Sequence, residues 1–475
     1  MGPRAVGPEA VGPRAGETGA EPPRVTAARL GGQGVVGLAL SFVDNAGIAR
    51  VKGVPIARLA DAAEQGVGMS PVFDTFLVDD STTQGRWLGG PDGDLRLFPD
   101  LGRAVALAAQ TGWAWAPADR YHQDGRPYAA CQRQFAARTV ARAAGHGLRL
   151  LAAYEVEWTV RREDGSLPTG GPAYGLHRLT DLSDYLRDLL TALDEQGLAV
   201  QQLHPEYAPG QFEVSVAAED PVAAADTTVL VRHTVRAVSA AHGLRASFAP
   251  AVAPGGVGNG AHLHLSLWQE PDGSGPDGSG PEGDGPDGSR NLLTGGGGRH
   301  GLTADGEAFL AGVLDRLPAL LALGAPSPAS YLRLVPSHWA GAYQCWGPEN
   351  REAALRLVPG LPGRPETANA EVKCFDGAAN PYLVVGAVIA AGLAGIDAGA
   401  VLPPEVRGDP AAAAGIPRLP TGLPQALAAF ERSAVLREAL GEVLHDTVAA
   451  VRRAEAAAFD GLEPAALIDA TRWRY

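Results

Sequence analysis

The stretch Gly258-Asn259-Gly260-Ala261-His262-Leu263-His264-Leu265-Ser266-Leu267 decides how this chain is read. Side chains alternate between the two faces of a strand. One face here carries three leucines, and the other carries two imidazoles and a hydroxyl. The same design recurs elsewhere. In Tyr154-Glu155-Val156-Glu157-Trp158 the acids oppose Tyr, Val and Trp. In Gln211-Phe212-Glu213-Val214, Glu213 opposes Phe212 and Val214, and in Glu371-Val372-Lys373-Cys374, Glu371 and Lys373 oppose Val372 and Cys374. One such strand carries little weight, because an antiparallel sheet often keeps a wet face where Glu and His are simply solvated. Together, rich in Glu and His rather than Lys, Thr and Ser, they predict a shared acidic face whose charge is offset by bound cations.

Composition bounds the function classes. The 475 residues exceed one average domain, so two or more units are expected. Hydrophobic content of 45% and charged content of 19% fit a soluble globular enzyme. A net charge of −14, with no polybasic cluster, argues against nucleic acid or an anionic membrane as partner. Cys131, Cys345 and Cys374 are far apart and form no CxxC, which points to a reducing, cytoplasmic setting without disulfides or a zinc knuckle. The uncharged run Gly377–Ile396 opens near Asn380-Pro381, is Ala/Gly-rich and is short for a membrane span, so a buried core helix is expected.

Residues 1–30 are Gly-, Pro- and Ala-rich with scattered charges and lack a continuous apolar core, so they read as a disordered tail and not a signal peptide. Val35–Val43 alternates, with Val36, Leu38, Leu40 and Phe42 on one face. Asp44-Asn45-Ala46-Gly47 reads as a turn, and Ile48–Val54 as the return strand. A small strand-rich domain over 31–126 is expected, bounded by the turn signals Asp124-Gly125-Arg126-Pro127. The remainder, 127–475, alternates strands and helices. Its clearest helix has Asp220 as N-cap, Pro221 in the first turn, a stripe of Val231, Val235 and Val238, and His242-Gly243 at its end. Residues 270–289 repeat a Pro-Asp/Glu-Gly theme and read as a flexible inserted loop. Pro424–Phe459 is Ala- and Leu-rich and reads as helical.

Several separated motifs occur in a telling order. They are Glu155-x-Glu157; His204-Pro205-Glu206-Tyr207-Ala208-Pro209-Gly210-Gln211-Phe212-Glu213; the His-x-His strand; Asn350-Arg351 with Arg356; and Glu371 ahead of Asn380-Pro381-Tyr382-Leu383. From about Val35 onward the chain resembles glutamine synthetase of the bacterial type I kind, in style closest to the γ-glutamylpolyamine and γ-glutamyl amide synthetases. The resemblance implies an α+β fold: a small β-grasp-like N-terminal domain and a large catalytic domain with a curved antiparallel sheet and helices. It implies a ligase in which ATP phosphorylates the γ-carboxylate of glutamate and a nitrogen nucleophile displaces phosphate. It further implies two or more Mg2+ or Mn2+ ions per site, and homo-oligomeric rings whose sites are shared between subunits. By the same resemblance, Glu157, Glu206 and Glu213 hold one metal, and Glu155, His262 and Glu371 the other. Gly258 lets glutamate approach the backbone, Arg333 holds a substrate carboxylate, and His264 and Ser266 face ATP. Arg351 and Arg356 stabilise the transferring phosphoryl group, a task suited to guanidinium.

The departures from the family pattern bear on the substrate. The family's Arg-x-Glu-x-Arg reads Asn369-Ala370-Glu371-Val372-Lys373, so a point charge, Lys373, replaces a substrate-facing fork. Trp339, in Pro336-Ser337-His338-Trp339-Ala340, stands where ammonia-using members carry a glutamate flap. The ammonium-binding aspartate has only a shifted counterpart, Asp74. An aromatic group suits a larger, partly apolar amine. A γ-glutamyl amide ligase joining glutamate, or a similar acid, to an organic amine is therefore expected. A glutamine synthetase using ammonium and a non-catalytic relative are the alternatives. The loop Val401–Pro417 contains no tyrosine, so regulation by nucleotidylation of a tyrosine there is not expected.

Overall fold

The computed structural model describes residues 21–270 and 288–475. The first 20 residues of the expected tail, and 271–287 of the expected inserted loop, lie outside the described residues. Residues 23–30 depart from the expectation of a disordered tail, because Pro23–Gly32 is an α-helix. Pro23 opens it at a position where the missing N–H costs nothing, and Leu30 is fully buried beneath it. One buried leucine and one buried threonine fasten a segment whose Gly/Pro content suggested no structure.

The first sheet consists of β1 (Gly37–Val43), β2 (Ala49–Pro55), β3 (Val67–Met69), β4 (Leu95–Pro99), β5 (Val105–Ala106) and β6 (Trp113–His122). Its order is β2-β1-β6-β4-β3, with β5 on β6. The hairpin read from Asp44–Gly47 joins β1 to β2 with Phe42 opposite Arg50. β1 then pairs in parallel with β6, and Val36 falls just before the strand and is exposed, not in line with Leu38, Leu40 and Phe42. β1 is interior to the sheet and buried along nearly its whole length, which blunts the alternation.

The second sheet consists of β7 (Leu148–Arg162), β8 (Val200–Pro205), β9 (Gln211–Val216), β10 (Leu244–Ser247), β11 (Ala261–Gln269), β12 (Arg290–Asn291), β13 (Tyr343–Pro348), β14 (Ala353–Val358) and β15 (Asn369–Val372). Its path is β13-β14-β15-β11-β7-β9-β8, antiparallel except for the parallel β13–β14 pair. Tyr154, Val156, Trp158, Phe212, Val214, Leu263, Leu265, Leu267 and Val372 are buried as the apolar faces of these strands. Helices cover that side. The helix Pro221–Ala241 is capped by the Asp220 carboxylate, and its expected valines are buried. Pro381–Asp397 is a core helix buried along nearly its whole length. No helix among the described residues is long and apolar enough to cross a membrane. The C-terminal helical stretch is two helices, Leu423–Arg432 and Ala434–Ala458, the latter interrupted at Gly441.

Polar side chains rivet the two sheets together. Asn380 caps the helix Pro381–Asp397 through Oδ1, while its Nδ2 donates to the carbonyls of Val43 and Asp44 at 3.0 and 3.1 Å. Arg133 bridges Asp100 and Asp119 to Asp226. Where the first sheet meets the segment that follows it, Arg120 Nη1 donates to both oxygens of Asp74 at 2.8 Å, and Tyr128 and Gln132 donate to the same carboxylate. Arg120 and Asp74 are fully buried, so this pair is screened little; both carboxylate oxygens are met, while Arg120 Nε has no hydrogen-bond partner.

Candidate active site

Strand register gathers the chemistry. His262 lies directly across from Glu155, His264 from Glu371, Glu371 from Arg356, Glu157 from Glu213, and Glu213 from His204. Each pair belongs to the face opposite the leucines, so β8, β9, β7, β11, β15 and β14 line one acidic trough. The trough is buried: Glu371 is 1% exposed, His262 5%, Glu213 7% and Glu157 8%. Carboxylates this dry need hydrogen bonds or counter-charge.

Three donor clusters lie close enough to share a cation: Glu155, His264 and Glu371; Glu155, Glu213 and His262; and His204, Glu206 and Glu213. His262 Nδ1 reaches Glu155 at 3.1 Å and Glu371 at 3.3 Å, and His264 Nε2 reaches Glu155 at 3.2 Å. The six residues expected as ligands thus share one trough, but their nearest groupings differ from the expected division. Glu157 accepts from Gln211 Nε2 at 3.0 Å and from the Gly260 N–H at 2.9 Å, and His204 completes the cluster of Glu206 and Glu213. His264, expected to face ATP, is tied to Glu155 and to Asn369. Ser266 accepts from the Trp268 indole at 2.8 Å.

The electrostatics show a surplus of negative charge. Burial, with Glu155 and Glu157 nearby, pushes Glu213 up to about 7 despite the hydrogen bond from His204. Burial and Glu157 also raise Glu206. Burial opposes ionisation of Glu371, but Lys373 and the two imidazoles hold it down at about 2. Burial likewise opposes ionisation of Glu155, yet hydrogen bonds from His262 and His264 hold it well below the usual carboxylate range. The hydrogen bond to Glu213 raises His204 to about 9. His264 also reaches about 9, where burial is outweighed by Glu155 and Glu371. Acids pushed up beside imidazoles pushed up mark carboxylates crowded beyond their counter-charge, so oxygen-loving divalent ions fit this donor set.

Backbone shape supports the same reading. A Cβ at Gly260 would collide with His262 Nε2 and lie within 2.9 Å of Arg333 and Glu157, so only glycine leaves this cradle open. A Cβ at Gly258 would strike the Pro250 carbonyl. Arg333 is buried, sends Nη2 to His262 Nε2 at 3.0 Å and to the Lys373 carbonyl, and leaves Nη1 unpartnered. Lys373 Nζ sits 2.9 Å from Glu371. Arg356 contacts Glu371 at 3.1 Å and also Glu349, while its Nε is buried without a partner. Arg351 is on an exposed turn with no side-chain contact to the trough among the described residues. Trp339 is 54% exposed, in left-handed backbone conformation, and its N–H donates to Glu352. Sequence reasoning passed over His204, Gly260, Gln211 and Glu352 as site residues. The first was signalled by His204-x-Glu206, which repeats the ligand spacing of His262-x-His264.

The chain belongs to the glutamine synthetase family: the family model "Glutamine synthetase, catalytic domain" matches residues 129–465. Among its relatives, the γ-glutamylpolyamine synthetase of Streptomyces coelicolor is 56% identical over 471 residues, covering 96% of this chain and 97% of that protein. The glutamine synthetase of Pyrococcus abyssi is 31% identical, covering 85% of this chain and 86% of that one. Among solved structures, a novel glutamine synthase homolog superposes with a TM-score of 0.81 at 35% identity, covering 93% of this chain and 99% of its own. The ADP complex of GmaS gives 0.78 at 28% identity, covering 92% and 97%.

Proposed function

We propose that this chain is an ATP-dependent ligase that joins the γ-carboxylate of glutamate to an organic amine, with a diamine or polyamine as the favoured class. The observation that carries the choice of amine over ammonium is the fate of Asp74. Its carboxylate is spent on Arg120, Tyr128 and Gln132, and it is fully buried. Trp339 occupies the flap position, so neither expected ammonium carboxylate is at hand. The relative named for polyamine ligation, similar along almost its whole length, supports the same reading.

In this reading Glu155, Glu157, Glu206, Glu213, His262 and Glu371, joined by His204 and His264, hold two or more Mg2+ or Mn2+ ions. Such ions supply charge neutralisation that lets the anionic carboxylate and ATP approach each other. Arg333 Nη1, buried and unpartnered, is poised for a substrate carboxylate. Arg356 is preorganised by Glu371 and Glu349 to meet charge growing on the transferred phosphoryl group. Arg351 reaches the phosphates from its turn. Gly258 and Gly260 keep the backbone low beneath the substrates. The γ-carboxylate oxygen attacks the terminal phosphorus of ATP, ADP leaves, and the amine lone pair attacks the resulting acyl phosphate. The C–N bond forms as phosphate departs and the nitrogen loses a proton. A ring of copies is part of the same reading, checked by light scattering coupled to size exclusion.

The test is ATP-dependent phosphate release with glutamate across ammonium, monoamines, diamines and polyamines. Diamines or polyamines should exceed ammonium in kcat/KM. Faster release with ammonium than with any amine would return the chain to glutamine synthesis.

A further inference from the structure

Among the described residues, Glu352 is an acid beside the trough whose chemistry is left unused. It follows Arg351 on the turn into β14 and is 8% exposed. Oε1 accepts the Trp339 N–H at 2.7 Å, while Oε2 is closed off from solvent and has no hydrogen-bond partner. A lone carboxylate oxygen shut away from water is costly unless something cationic meets it. The charged groups around it are His338, Lys373 and Asp409, and none of them bonds to Oε2. Its neighbourhood belongs to the trough: Lys373, two residues from Glu371, donates its N–H to the Ala354 carbonyl at 3.0 Å. The segment above it stands at the surface, held by the Ser337 hydroxyl to Asp409 and the Trp339 N–H to Glu352. Ser337, His338 and Trp339 are exposed, and Ser337 and Trp339 hold left-handed backbone unusual for their types.

We propose that Glu352 is a specificity-determining carboxylate that receives the distal, unreacting ammonium of a diamine or polyamine substrate. The proposal rests on the amine-ligase reading above. Position favours the distal nitrogen. Lys373 is a charged neighbour of Glu352 and its Nζ bonds Glu371, so Glu352 lies one side chain beyond the groups that meet the reacting atoms. The attacking nitrogen must be neutral, whereas the far nitrogen stays protonated and needs a counter-charge. Trp339 provides an apolar surface beside the same carboxylate for the intervening methylenes.

The experiment compares wild type with Glu352→Gln and Glu352→Asp, using 1,4-diaminobutane, spermidine, butylamine and hydroxylamine as nucleophiles. Glutamine retains an oxygen for the Trp339 N–H and removes only the charge. Glu352→Gln should raise KM for 1,4-diaminobutane and spermidine at least tenfold, with a rise of twofold or less for butylamine and hydroxylamine. Glu352→Asp should recover part of the diamine KM. A parallel rise for all four nucleophiles would assign Glu352 to holding the Trp339 loop alone, and an unchanged diamine KM would likewise overturn the proposal. Wild type is read first and separately: if it consumes ammonium and no amine, the ligase reading fails and Glu352 loses its role with it. If wild type prefers diamines over butylamine and Glu352→Gln preserves that preference, the reading stands and only the assignment of Glu352 fails.

Discussion

Two buried ionic clusters, one in each sheet, behave in opposite ways. Around Asp74 every charge meets its complement: Arg120 doubly, with Tyr128 and Gln132 completing the shell. In the trough, Glu155, Glu157, Glu206, Glu213 and Glu371 crowd one another, and burial together with Glu155 and Glu157 pushes Glu213 up to about 7. The first cluster balances its own charge and ties Asp74 to β6. The second is complete only with guests. Burial alone therefore does not mark a site; unbalanced burial does.

Removing a carboxylate from each cluster should break the molecule in different ways. Glu213→Gln is expected to lower kcat by at least about 10³-fold, some 4 kcal/mol of transition-state stabilisation, with thermal unfolding of the metal-free protein unchanged or raised, because burial and neighbouring acids already oppose ionisation of Glu213. Asp74→Asn should act on stability instead. It leaves Arg120 charged and dry, and a loss of about 3 kcal/mol is expected in chemical unfolding. Equal effects of the two variants on stability would dissolve the contrast. Saturating Mn2+ should raise stability by about 2.7 kcal/mol at a hundredfold excess over Kd, and Glu155→Ala should abolish that rise. Protons compete for the same carboxylates. Glu213 takes up a proton as pH falls through about 7, so by its protonation alone Mn2+ affinity by calorimetry should drop about tenfold in all between about pH 8 and about pH 6. The smallest effect is expected at Arg351→Ala. A raised KM for ATP should come with stability changed by less than about 0.5 kcal/mol, because the side chain is exposed.

The trough was legible because its strands alternate without ambiguity, and His262-Leu263-His264-Leu265 can bury leucine only by turning imidazole the other way. What alternation cannot supply is register. Which acid faces which histidine depends on how β7, β11 and β15 slide past one another, and that is set by distant packing. Hence the sequence does not show that Gln211 and the Gly260 N–H hold one oxygen of Glu157, Oε2, while Glu213 lies directly across from it. The helix Pro23–Gly32 was hidden because composition suggested disorder and one buried leucine decided otherwise. Glu352 carried no spacing signal at all. Its meaning comes from Trp339, which is thirteen residues away in the chain and adjacent in space.

The single amide of Asn380, spent on a helix end at one oxygen and on the Val43–Asp44 turn at its nitrogen, has a dynamic consequence. Together with Arg133 it fastens the first sheet to the helices of the second, so any hinge between the two sheets would have to break these buried bonds first. A crosslink between the two sheets should therefore leave turnover intact.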